Sequence, residues 1–558
     1  METPLTSAEP MLWSGWGDPA KAAELPAPVR GLLTELLGVR APAAPAATFG
    51  EVRLPPVALP PPALAALAAV VGDEHVRADD DARIRHTRGK STPDLLLMRA
   101  GDASDAPDAV VLPGSHDEVA AVLRLCAEHR VAVVPFGGGT SVVGGLVATR
   151  CGSEGGFAGV IALDSARLNR LVSVDPVSMV AELEPGLRAP QAEQLLAAHG
   201  LTLGHFPQSY EYATLGGFAA ARSSGQASAG YGRFDDMVAG MTVATPRGTL
   251  EIGRAPKSAA GPDLRQVFLG SEGTFGVITS LRLRVHRAPA VRAYEGWRFE
   301  SFAAGTAALR RLAQQEGPSP TVLRLSDETE TMAGLAKPAD LGAAGRDSGC
   351  LLVAGFEGSP ADVAGRRDRA AAVLVEAGGV HLGPEPGDKW AQGRFSAPYL
   401  RDCLLAAGAT VETLETAGFW SNLPRLYEAV RLALHGALTS PLVMCHISHV
   451  YATGASLYFT VVTAQTGDPL GQWAAAKRAA NEAIVRAGGT ISHHHGVGRD
   501  HREAYAAEIG DLGGEILRGI KERLDPAGIL NPGVLIPDDS SAGHDGAGRG
   551  GWRSTGAE

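Results

Sequence analysis

Cysteine is scarce and scattered in this 558-residue chain: Cys126, Cys151, Cys350, Cys403 and Cys445 are odd in number and form no Cys-x-x-Cys pair. That argues against a disulfide-stapled scaffold or a cysteine-ligated zinc module, and it predicts reduced, mostly packed thiols of a cytoplasmic protein. Excess positive charge is missing too. Fifty Lys and Arg stand against 61 Asp and Glu, a formal net charge of -11, so a nucleic-acid partner bound by phosphate neutralisation is not expected. No window offers the roughly eighteen uninterrupted apolar residues of a spanning helix. Nor does a basic stretch followed by an apolar core open the chain, so no secretory signal is expected. The end, Gly556-Ala557-Glu558, is not a peroxisomal tripeptide. Acting on a lipid would then require peripheral membrane contact or a substrate tunnel.

What is present is an ordinary globular composition, 45% hydrophobic and 20% charged, in a chain too long for one core. Residues 1–106 read as an N-terminal helical and extended arm with Trp13, Trp16 and proline-rich stretches such as Pro60-Pro61-Pro62, where proline opposes long helix. Short apolar strands and amphipathic helices alternate from Pro107 onward. The strand Val131 to Val134 runs into Pro135-Phe136-Gly137-Gly138-Gly139-Thr140-Ser141, where glycines let backbone N–H groups approach an anion. Taken alone, a tight structural turn is as good a reading of this run as a phosphate cradle. A segment of small and hydroxyl residues follows from His205 to Gly225, suited to lying flat against a planar ligand. Gly270 to Thr279 then leads into another strand.

Near the C-terminal end stands Ser492-His493-His494-His495-Gly496-Val497-Gly498. Histidine titrates near working pH, so three adjacent imidazoles can hold or move charge. The run lies inside the chain, which excludes a tag remnant. In an extended segment His493 and His495 would face one way and His494 the other, leaving a metal pair geometrically feasible. Elsewhere single residues read blandly: Tyr458 as an interior wall residue of an apolar strand, Arg401 as a surface ion pair, and Lys90 as a structural or ligand-side contact. His446 and His449 sit together on one strand-like stretch.

The four segments from Pro107 to His286 together resemble the flavin-binding domain of the vanillyl-alcohol oxidase/p-cresol methylhydroxylase superfamily. The implied fold class is α+β: a two-subdomain FAD-binding domain over 107–288, an α+β cap over 289–501, a return to the flavin domain over 502–537 and a disordered tail over 538–558. The resemblance implies FAD contacts from Pro135 to Ser141, from Gln208, Ser209, Tyr210, Thr214 and Gly217, from Ala221, Arg222, Ser223 and Ser224, and from Glu272, Gly273, Thr274, Phe275, Gly276, Val277 and Ile278. The glycine loop has no histidine, so the FAD is expected to be non-covalent.

Trp13 to Gly17, His205 to Phe218, Tyr399 to Asp402, Gly454 to Phe459 and the histidine run narrow the likeness to the alkyldihydroxyacetonephosphate synthase family. In that family the acyl group of acyl-dihydroxyacetone phosphate is exchanged for a long-chain fatty alcohol, forming an ether bond with no net redox change. By resemblance Tyr458 moves a proton, His493, His494 and His495 meet the leaving carboxylate, Arg401 grips the phosphate and Arg324 positions the site. No metal is assigned, and a homodimer is expected. The alternative is an FAD-dependent 2-hydroxy-acid dehydrogenase or alcohol oxidase. It is disfavoured because His494 stands where those dehydrogenases carry a glutamate.

Overall fold

A computed structural model describes residues 10–22, 24–42, 44–150, 156–317, 319–335 and 349–537. The tail over 538–558 and Cys151 lie outside these residues. Two main sheets, with the small pair Leu201–Thr202 and His286–Arg287, build the first half. The smaller main sheet places Val76–Arg77, Ala109–Val111, Gly159–Asp164 and Val131–Phe136 in that order, the last three mutually parallel. Gly159–Asp164 is buried throughout, as a parallel strand covered on both faces must be. The helix His116–Glu128 packs there through Val119, Val122, Leu123 and Cys126, and its first turn is capped by Ser115. A five-stranded antiparallel sheet follows, in the order Leu171–Asp175, Val180–Leu183, Val277–Arg284, Val238–Thr245, Gly248–Ile252.

The arm departs from its sequence reading. Pro61 opens the helix Pro61–Val71 instead of extending the chain, because a proline at the first turn gives up an N–H that no helix partner would have used. The helix Ala27–Leu37 packs with Leu25 and Val39 onto Leu404, Val411 and Val462. Further along, Val76–Arg77 pairs with Ala109–Val111, so residues before 107 take part in the flavin-domain sheet. At the other end the N–H of Val133 donates to the Ile529 carbonyl and that of Asn531 to the Val133 carbonyl, both at 2.8 Å. The chain end is thereby stitched onto the first sheet.

The cap is a seven-stranded antiparallel sheet whose last four strands run Val322–Ser326, Leu442–Ile447, Gly454–Ala464, Ala409–Phe419, the last of them at the edge. Side chains alternate across it. Leu457, Phe459 and Val461 join Leu414, Cys445 and Ile447 in an apolar core with the covering helices. On the other face, Ser326, His446, Tyr458 and Glu415 stand directly opposite one another in a row across four strands. Burying one face so thoroughly fixes the register, and the register alone makes that polar row.

Candidate active site

The histidine run is not extended. It wraps around the carboxylate of Glu415, which accepts the N–H of His493 (2.7 Å), His494 (3.1 Å) and His495 (2.9 Å) and the hydroxyl of Ser492 (2.8 Å). The Ser492 hydroxyl in turn accepts the N–H of Gly496, which sits at φ 90°, where glycine is favoured. Four donors converging on one carboxylate close the segment into a turn, so the expected pairing of His493 with His495 gives way. The rings of His493 and His494 meet instead, their Nδ1 atoms 3.0 Å apart. Burial disfavours a charge on Glu415, yet His494, His495, His493 and the N–H of His494 hold it well below the usual carboxylate range.

Tyr458 lies between two imidazoles. Its ring is stacked 4.8 Å from His446 and 6.0 Å from His494, with His495 edge-on at 5.5 Å. Burial pushes the phenol up to about 12, against a lowering by the Thr413 hydroxyl. The shift runs opposite to the lowering a resting base would need, so the resting phenol is protonated. The imidazoles move the other way. Burial takes His495 down to about 3, holds His449 and His493 well below the usual histidine range and lowers His494 and His446. The site is therefore a protonated phenol among neutral imidazoles, able to give a proton at one atom and accept one at another.

Arg324 joins this site through His446. Its Nη2 lies 3.0 Å from Glu330 and 3.1 Å from His446 Nδ1, which is itself 2.9 Å from Glu330. Burial opposes the Glu330 charge, but His446 and Arg324 bring it down to about 2. Arg401 stands apart from the histidines, where the arm meets the cap. Its Nε and Nη2 donate to Asp402 and its Nη1 to the Lys90 carbonyl. Lys90 Nζ donates to the carbonyls of Leu12 and Trp13, so it anchors the arm. Three contacts leave two of the five guanidinium N–H groups of Arg401 for another acceptor.

Residues 135–141 sit against residues 212–214. A Cβ on Gly137 would meet the Thr214 hydroxyl at 2.3 Å and one on Gly138 the Tyr212 carbonyl at 2.1 Å, so only glycine fits. Among the described residues, the N–H groups of Gly138, Gly139, Thr140 and Ser141 donate to no protein acceptor. The buried Gln208 Nε2 and Thr274 Oγ1 also lack partners. Unmet donors on three segments are what a bound cofactor with a pyrophosphate requires, and these residues fit FAD. Other expected contacts are spent elsewhere. The Arg222 guanidinium braces the Leu269 and Gln266 carbonyls and Asp235, and Tyr210 stacks on Phe395 at 5.2 Å. Glu272 accepts the N–H groups of Val497 and Gly498. Phe275, Val277 and Ile278 are buried in apolar cores, and a Cβ on Gly276 would strike Val243, which leaves only backbone for a cofactor there. Ser223 lies 3.0 Å from His205, and Ser224 2.9 Å from His449.

Sequence reasoning missed Glu415, Glu330, Tyr451 and the role of His449. Tyr451 lies 2.7 Å from His493 Nε2, and His449 stacks on His493 at 4.9 Å. A carboxylate in mid-strand, flanked by Leu414 and Thr416, was the available signal for Glu415, since a buried charge demands partners.

Comparison with known proteins agrees with this architecture. Residues 107–253 match the FAD binding domain family, and residues 288–535 match the C-terminal domain of FAD linked oxidases. The alkyldihydroxyacetonephosphate synthase of Trypanosoma brucei brucei is 33% identical over 577 residues, covering 96% of this chain and 93% of the relative. A solved alkyldihydroxyacetonephosphate synthase superposes with a TM-score of 0.80 at 31% identity, covering 94% of this chain and 99% of that one. p-Cresol methylhydroxylase, at 17% identity and a TM-score of 0.66 over 87% of this chain and 98% of its own, shares the fold. The glycine loop, the Tyr458 strand and the histidine turn all lie within the matched stretches, and the chain belongs to the alkyldihydroxyacetonephosphate synthase family as an FAD-dependent enzyme.

Proposed function

We propose that this protein exchanges the acyl group of acyl-dihydroxyacetone phosphate for a long-chain fatty alcohol, with FAD held non-covalently. The observation that carries the reading is the stack of His446, Tyr458 and His494 over the turn that Glu415 organises. Bound FAD supplies the electrophilic and nucleophilic ring chemistry that lets a carbon–oxygen bond be replaced without net redox. The chain moves the protons. A neutral imidazole of His494 or His495 accepts the proton released by the substrate carbon or the incoming alcohol, and Tyr458 Oη donates a hydrogen bond to the departing carboxylate. One carbon–oxygen bond to the acyl group breaks and one to the alcohol forms, so fatty acid leaves as the ether appears.

Arg401 offers its two remaining N–H groups to the phosphate, and Arg324 positions His446 through Glu330. Cys126, Cys350, Cys403 and Cys445 are free thiols, three of them buried, which suits a cytoplasmic site. No helix is long and apolar enough to cross a membrane among the described residues. Exposed Leu400 beside Arg401, and Leu512 with Ile516 one helical turn apart, support peripheral membrane contact and a homodimer respectively. Anaerobic mixing with substrate tests the reading: the visible flavin absorbance should survive turnover with acyl-dihydroxyacetone phosphate and alcohol, whereas lasting bleaching by an alcohol or 2-hydroxy acid would favour an oxidoreductase.

A further inference from the structure

The exchange of one oxygen substituent for another requires no metal, yet three of the buried imidazoles are arranged as metal ligands are. His449, His493 and His494 each offer one ligand atom, and these atoms all lie within 4.8 Å of one another. His449 follows the strand Leu442–Ile447, while the other two come from the turn around Glu415.

Two of the three outer nitrogens are already held. His449 Nδ1 lies 2.9 Å from the hydroxyls of both Ser224 and Ser228, and His493 Nε2 lies 2.7 Å from the Tyr451 hydroxyl. That leaves His449 Nε2 and His493 Nδ1 for a ligand. His493 Nδ1 faces His494 Nδ1 at 3.0 Å, a contact that must be bridged by one proton or by a cation, since two unprotonated nitrogens repel. Histidines fixed by a hydrogen bond on the far nitrogen are the usual construction of a metal site. Three imidazole nitrogens with one remaining position suit zinc and its neighbours, and exclude magnesium or calcium, which take oxygen. Glu415 adds a buried negative charge 3.6 Å from His494, which offsets part of the charge of a divalent cation.

We propose that His449, His493 and His494 form a binding site for one divalent transition-metal ion of the zinc class. The ligand set stands on ring geometry and does not depend on which reaction the flavin supports. A consequence that does rest on the proposed exchange is that the ion inhibits turnover, because it occupies a nitrogen of His494, one of the imidazoles that accept the proton, beside the Tyr458 ring.

The test uses the FAD-loaded full chain, stripped with a chelator and titrated with Zn2+ by calorimetry and with Co2+ by absorption. One Zn2+ per chain and the intense visible bands of four-coordinate Co2+ are expected. His449→Gln should weaken Zn2+ binding by about 100-fold or more. Ser228→Ala and Tyr451→Phe, which keep all three ligands, should weaken it by roughly 10-fold, and they keep the proposal falsifiable if His449→Gln fails to fold. Binding without defined stoichiometry, or Zn2+ affinity unchanged in all the variants that fold, would overturn the site. Product formation by the metal-free enzyme is read separately, so absence of ether product would count against the exchange and leave the metal result standing.

Discussion

Glu415 stands directly opposite Tyr458 in the antiparallel ladder between Ala409–Phe419 and Gly454–Ala464. One strand thus presents the phenol, and its neighbour presents the carboxylate that folds the histidine turn over it. The pairing makes the position of three imidazoles a consequence of strand register, and it yields specific expectations.

Replacing Glu415 by Gln keeps the shape but puts an amide NH2 among four donors. Leaving buried donors unmet costs about 1–3 kcal/mol. Glu415→Gln should lose stability of that order in denaturant titration and lower kcat at least 100-fold, while FAD content remains unchanged.

Tyr458→Phe removes only the hydroxyl and leaves the ring stacked between His446 and His494. Turnover should fall by more than 100-fold with FAD content unchanged and stability altered by no more than about 1 kcal/mol. Loss of flavin from this variant, measured by absorbance after gel filtration, would mark the hydroxyl as a structural group.

Gly138→Ala places a Cβ 2.1 Å from the Tyr212 carbonyl. The loop and residues 212–214 must then separate, so the variant should purify with its flavin lost or sharply reduced. Its circular dichroism should keep the cap sheet signature.

Glu272 is pushed up to about 7, chiefly by burial, against the lowering by the N–H groups of Gly498 and Val497. The folded form therefore binds its proton more tightly than the unfolded chain does. The contribution of this group to stability is fully present below about pH 4.5 and is lost as pH rises through about 7, by up to ~3 kcal/mol. A Glu272→Gln protein should lack that decline, as shown by thermal melts of both proteins from pH 5 to 8.

Much of the fold and of the site is legible in the sequence because its signals are contiguous. The glycine loop after Val131 to Val134, the histidine run and the alternation around Tyr458 each announce themselves within a dozen residues. Side-chain direction is not carried by such motifs. Arg222, Phe275 and Val277 lie in segments that line up with a flavin site, yet Arg222, at positive φ, braces the Leu269 and Gln266 carbonyls, and Phe275 and Val277 are buried in apolar cores. Glu415 and Glu330 were hidden for a different reason: Glu415 meets the histidine turn, and Glu330, on the helix Glu328–Leu335, meets His446, only across long stretches of chain, so no local pattern distinguishes them from solvated carboxylates. The arm was misread at Pro61 because proline both stops a helix and starts one.

Ether formation itself is the most direct measurement. FAD-loaded protein is incubated with palmitoyl-dihydroxyacetone phosphate and labelled hexadecanol, and label is followed into lipid product together with released palmitate. Label is expected in alkyl-dihydroxyacetone phosphate in a one-to-one ratio with palmitate, and the signal should vanish in Tyr458→Phe and His494→Ala proteins that retain FAD. Label that stays in the free alcohol, while a 2-hydroxy acid reduces the flavin, would contradict the assignment.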